Sequence, residues 1–126
     1  MTLKVLHVDD EADIREVAAF SLELDPDIEL QSAESGAAAL DVLGSRAVDV
    51  VLLDVMMPAM DGPETLRRLR EVPGHETTPV VFMTARAQET EVDKYRALGA
   101  LDVIIKPFDP MTLAQQLRSV LAASRR

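Results

Sequence analysis

Five residues, spread from one end of the 126-residue chain to the other, carry chemistry that none performs alone: Asp9, Asp10, Asp54, Thr84 and Lys106. Each follows directly on an apolar run. Asp9 and Asp10 close Leu3 to Val8, Asp54 closes Val50 to Leu53, Thr84 closes Pro79 to Met83, and Lys106 closes Leu101 to Ile105. If those runs are parallel strands, the residues meet at one edge of the sheet. Three crowded carboxylates repel one another and need a cation. A small all-oxygen donor set suits Mg²⁺ with several retained waters. With the cation in place, Asp54 can stay ionised and attack phosphorus, as carboxylates do in forming aspartyl-phosphates. Lys106 and the metal would neutralise the phosphoryl oxygens, and the Thr84 hydroxyl could donate to one of them. The plain readings are a turn-starting Asp54, a solvated Lys106 paired with Asp9 or Asp10, and a helix-capping Thr84. Each explains one residue and none explains their recurrence at the ends of four strands.

The elements that must bring them together are written in the periodicity. In "DVVLLDVMMPAMDG", Asp49 to Gly62, a continuous apolar run reads as a strand buried on both faces. Pro58 and Asp61-Gly62 then break it into a loop. The carboxyl edge of a central strand in an open parallel sheet is where ligands bind. Leu3 to Val8 reads as the first strand. His7 within it is expected to be a strand residue with a satisfied hydrogen bond. A helix follows with Ile14, Val17, Ala18 and Leu22 inward, stopped at Asp25-Pro26. Ile28, Leu30 and Ser32 alternate with polar residues as on an edge strand, and Gly36 to Leu43 is an Ala-rich helix with Gly44 at its C-cap. Pro63 suits the first turn of a third helix, with Leu66 and Leu69 inward and Arg67, Arg68 and Arg70 toward water. A polar helix from Gln88 to Leu98 ends at Gly99. Asp109-Pro110 starts a last helix, whose inner face is Leu113, Leu117, Val120 and Leu121. Ser124 to Arg126 reads as a tail. Five β-α repeats predict an α/β fold: a single doubly wound five-stranded parallel sheet with five helices and right-handed crossovers.

Composition narrows the function. The chain is long enough for one domain with a real core. Aromatics make up 3% of it, so Val, Leu, Ile, Ala and Met must fill that core. Thirteen basic against 22 acidic residues leave a net charge of −9, which argues against nucleic acid as a direct partner. Without cysteine, disulfide, zinc-thiolate and thiol-nucleophile chemistry drop out. The opening "MTLKVLHVDD" turns acidic too soon for a signal peptide, and no apolar run reaches membrane-spanning length, so a cytoplasmic protein with no membrane partner is expected.

The pieces "HVDDEADIRE", "VVLLDVMMPAMDG", "FMTARA" and "LGALDVIIKPFDP", in this order and spacing, resemble the response-regulator receiver domain (CheY-like) of two-component signalling over essentially the whole chain, residues 1–126. The resemblance implies a flavodoxin-like sheet in the order 2-1-3-4-5. It implies a phosphoryl group accepted on Asp54 from a sensor histidine kinase or phosphotransfer protein. It also implies Mg²⁺ held by Asp10, Asp54 and the backbone carbonyl of Met56, with Asp9 acting largely through water. Thr84 and Lys106 would contact the phosphoryl group, and a cis peptide would precede Pro107. Such a domain is not a turnover enzyme. It would signal to a downstream effector protein as a monomer or weak homodimer.

One position departs from the family: three residues before Lys106, where an aromatic is usual, stands Val103. A side chain branched at Cβ is stiff at χ1 and cannot swing a ring. The expected route for the signal is therefore the loop Ala85 to Gln88 and the helix beyond it, which carries Tyr95. Rival readings fit less well. A nucleotide- or flavin-binding module needs a Gly- or hydroxyl-rich phosphate loop where this chain has Asp9, Asp10 and Glu11. A phosphatase of the haloacid dehalogenase type needs a carboxylate at Met56 and a cap domain. A receiver-like domain used only for protein contacts does not need the acidic set.

Overall fold

The computed structural model describes residues 2–85 and 88–124. The elements run β1 Leu3–Val8, α1 Ala12–Glu23, β2 Ile28–Ala33, α2 Gly36–Leu43, β3 Val50–Asp54, α3 Gly62–Leu69, β4 Val80–Thr84, α4 Glu89–Ala97, β5 Asp102–Ile105 and α5 Leu113–Ser124. All four strand pairings are parallel and the sheet order is β2-β1-β3-β4-β5. Both agree with expectation.

β3 and β4 are buried at every residue, as continuous Val-rich runs in a two-sided sheet must be. Strand parity sorts the core into two layers. Leu6, Val8, Val51, Leu53, Val80 and Phe82 point to the α2–α3–α4 side, where they pack with Leu43, Leu66, Leu69 and Tyr95. Val5, Val50, Leu52, Val81, Met83 and Ile104 point to the α1–α5 side, with Ala18, Leu22, Leu113 and Leu117.

Several local expectations need correction. Val17 is 41% exposed, and the inner face of α1 is Ala18, Ser21 and Leu22. Position 17 lies one residue, about 100° around the helix, from Ala18, and it joins Phe20 and Leu24 in an outward apolar stripe. Arg70 does not simply face water. It is half-buried, and its Nη1 donates to the carbonyls of His75 and Thr78 at 3.2 and 2.6 Å. On the edge strand, Ser32 is exposed and Ala33 buried. Asp109 works as a cap one turn ahead of α5: its Oδ1 accepts from the Met111 N–H, and its carbonyl accepts from Thr112 and Leu113. Ser124, read as tail, is the last residue of α5, and its hydroxyl donates to the Leu121 carbonyl. Arg125 and Arg126 lie outside the described residues, as do Arg86 and Ala87 of the loop expected to carry a signal.

Candidate functional site

Register alone explains how the polar strand ends converge. Val8 pairs with Leu53, so Asp9 stands beside Asp54; Asp54 pairs with Met83, and Met83 with Ile104, two residues before Lys106. By parity Asp9, Asp54 and Lys106 share the α1–α5 side of the sheet, while Thr84 shares the side of Phe82. The strand ends are laced by main-chain bonds: Asp9 N–H to the Ala33 carbonyl, Val55 N–H to Met83, and Lys106 N–H to Thr84.

The contacts follow that placement. The Lys106 ammonium lies 2.8 Å from Asp9 Oδ2 and 3.2 Å from Asp54 Oδ1. Carboxylate oxygens of Asp9, Asp10 and Asp54 fall within 4.8 Å of one another. Asp9 and Asp54 are buried and Asp10 is exposed. Burial, and then the charge of Asp9, push the Asp54 carboxyl above its usual range; Lys106 and the Met56 N–H oppose this without cancelling it. Burial alone would lower the Lys106 ammonium, but its bond to Asp9 and the charges of both carboxylates hold it above its usual value. Lys106 is therefore a cation between two buried anions. That agrees with the paired-lysine reading as well as with a role toward phosphate.

Glu11, Ile14, Asp54, Met56, Thr84, Ala85, Lys106 and Pro107 line an open cleft of about 320 Å³. The Lys106–Pro107 peptide bond is cis, as expected. Thr84 is 4% exposed at the floor of this cleft and continues the strand of Phe82, whose ring meets that of Tyr95 edge-on at 5.2 Å. Met56, by contrast, is 78% exposed at the rim.

The loop from β3 to α3 is folded tightly against the site. Met60 N–H donates to the Pro58 carbonyl at 2.7 Å, across Ala59 at φ +67°, a γ-turn in a backbone region costly for a residue with a Cβ. Asp61 then caps α3 through the Glu64 N–H, with Pro63 in the first turn. Gly62 lies directly on the end of β3: a Cβ there would stand 2.7 Å from the Asp54 carbonyl oxygen and 2.9 Å from Val55 Cα.

Two residues were misjudged or missed. His7 is fully buried, yet neither ring nitrogen has a hydrogen-bond partner among the described residues. Its side of β1 faces the apolar α1–α5 layer, and burial lowers its pKa to about 4, so the ring is neutral. Arg15 reaches back from α1 to the Asp9 carbonyl, Nη1 to O 2.8 Å. Its place within "HVDDEADIRE" was visible, but an arginine on a helix carries no sign of its target.

A metal fits this donor set. Three carboxylates against one ammonium leave an anionic, all-oxygen pocket with one exposed ligand toward solvent. That is the chemistry of a hard divalent cation such as Mg²⁺.

Residues 5–118 match the family described as the response regulator receiver domain. The chain is 44% identical over 110 residues to the regulatory protein AtoC of Escherichia coli, covering 84% of this chain and 22% of AtoC. It is 38% identical over 117 residues to the phosphate regulon transcriptional regulatory protein PhoB of Pseudomonas aeruginosa, covering 93% of this chain and 51% of that one. The chain thus spans about half or less of the length of these relatives. Among solved structures, the chemotaxis response regulator CheY4 of Vibrio cholerae superposes with a TM-score of 0.87 at 32% identity, covering 95% of this chain and 99% of that one. The Francisella response regulator 1452 receiver domain gives 0.85 at 27% identity, covering 98% and 99%.

Proposed function

We propose, for a chain that belongs to the response regulator receiver domain family, that Asp54 accepts a phosphoryl group from a phosphohistidine on a sensor histidine kinase or phosphotransfer protein, and that the phosphorylated form signals to a downstream effector protein. The carrying observation is the setting of Asp54: a buried carboxylate at the edge of the central strand, pushed toward greater basicity by burial, with an ammonium at 3.2 Å and two further carboxylates beside it. An Asp54 carboxylate oxygen forms the new O–P bond as the donor's N–P bond breaks, and the departing electron pair stays on the donor imidazole. Lys106 follows the phosphoryl oxygens as charge builds on them, and the Thr84 hydroxyl donates to one of them. Asp10, Asp54 and the Met56 carbonyl would hold Mg²⁺, with Asp9 acting through water. Bound there, the ion supplies charge neutralisation for the phosphoryl oxygens. On this reading the chain catalyses only its own phosphorylation and dephosphorylation.

The setting proposed with this is the cytoplasm, as a monomer or weak homodimer. The net charge of −9 supports contacts with protein rather than with nucleic acid. Incubation with acetyl phosphate and Mg²⁺, read by intact mass, tests the transfer. One phosphoryl group per chain is expected, and excess chelator should abolish it. No gain with Mg²⁺, or an equal gain with chelator, would contradict it.

A further inference from the structure

We infer that Arg15 is a positioning residue for the metal site, acting through the peptide between Asp9 and Asp10 and not by touching the ion. The ladder of β1 ends at Val8, paired with Ala33 on one side and Leu53 on the other. Asp9 comes one residue later and is held at every polar atom. Its N–H goes to the Ala33 carbonyl at 3.1 Å, its Oδ1 accepts from the Glu11 N–H at 2.9 Å, and its Oδ2 accepts from Lys106 at 2.8 Å. The fourth hold is on its carbonyl, from the half-buried Arg15 guanidinium at 2.8 Å.

That last bond governs the next residue. A peptide unit is planar, so fixing the direction of the Asp9 carbonyl fixes the plane that ends at the Asp10 Cα. Asp10 is the exposed member of the acidic trio, with a carboxylate oxygen within 4.8 Å of those of Asp9 and Asp54. Arg15 thereby sets where that carboxylate stands relative to Asp54. Outer partners that orient metal ligands commonly matter about tenfold or more in affinity. The inference rests on the Mg²⁺ assignment proposed above.

Charge and geometry predict opposite results, which makes the test decisive. Removing a cation from beside three carboxylates would, by Coulomb's law alone, tighten binding of a divalent ion. Removing an orienting bond weakens it. Arg15→Met keeps the apolar stem and deletes both the charge and the donors. Mg²⁺ titration by calorimetry should show binding weakened roughly tenfold in this variant, with a cooperative melt in the absence of metal. Arg15→Lys keeps the charge and one donor, and should recover most of the loss. Arg15→Ala, read the same way, serves if the Met variant does not fold. Unchanged or tighter binding in the Met or Ala variant, or no recovery in Arg15→Lys, overturns the inference. Absence of Mg²⁺ binding in the wild type would overturn the metal assignment itself, and the inference with it.

Discussion

His7 on β1 and Asp54 on β3 share the α1–α5 side of the sheet, and burial treats them in opposite ways. Both lose solvation in the charged form, so the imidazole pKa falls to about 4 while the carboxyl rises. For His7 the sign for stability follows from proton binding. The unfolded chain takes up the proton near pH 6.5 and the folded chain not until about 4, so stability is full at neutral pH and is lost as pH falls between these values. At pH 5 the loss from this one group is about 2 kcal/mol. His7→Val replaces a buried imidazole, without a hydrogen-bond partner among the described residues, by an apolar strand former. It should fold at least as stably at pH 7 and lose about 2 kcal/mol less between pH 7 and pH 5. Urea denaturation at the two pH values checks this, and parallel losses in both proteins would refute it. The polar strand ends were legible in the sequence because each breaks an apolar run. The state of His7 was not, because a histidine inside a run shows neither which face it takes nor what faces it there.

Among the elements, the β3–α3 connection bears hardest on the site. Gly62 allows the start of α3 to rest on the backbone of Asp54 and Val55, with its own N–H donating to the Val55 carbonyl at 2.9 Å. Gly62→Ala would put a Cβ against backbone that cannot move without moving Asp54. The expected cost is about 1–3 kcal/mol in urea denaturation, and a change within about 0.5 kcal/mol would show that the loop gives way freely. The second element-scale question is where a signal leaves the site. Thr84 continues the strand of Phe82, and Phe82, Tyr95 and Val103 share one apolar cluster under α4. The aromatic ring in that cluster from the α4–β5 region is supplied by α4. With beryllofluoride as phosphoryl mimic, amide shifts along α4 from Gln88 onward should exceed those at Val103; changes centred on Val103 with α4 silent would argue the reverse. Helix existence was readable from period and caps. The facing of α1 was not, because Val17 and Ala18 are both apolar and only packing against α5 and the sheet chooses between them. The inward turn of Arg70 was equally hidden, since the carbonyls it meets belong to another loop.

In the molecule as a whole, element order and the parallel sheet followed from five β-α repeats, while strand order came from the family resemblance and not from periodicity. The fold gathers acidic charge at one edge of a chain already at −9. An ion that binds only the folded form must therefore stabilise it, by about 2.7 kcal/mol at a hundredfold excess over its Kd. Millimolar Mg²⁺ should raise the melting temperature by roughly 5 °C or more. Asp10→Ala should melt no lower than wild type without metal, because one repelling carboxylate is gone, and should not respond to Mg²⁺. An equal Mg²⁺ response in both would mean that the ion binds elsewhere. Whether Asp54 is the phosphoryl acceptor is decided by locating the bond. After acetyl phosphate treatment with Mg²⁺, borohydride reduction converts an aspartyl-phosphate to homoserine, which peptide mass mapping can place. Homoserine is expected at position 54 alone in the wild type, with no phosphoryl gain in Asp54→Asn. Homoserine at position 9 or 10, or a full phosphoryl equivalent on Asp54→Asn, would contradict it.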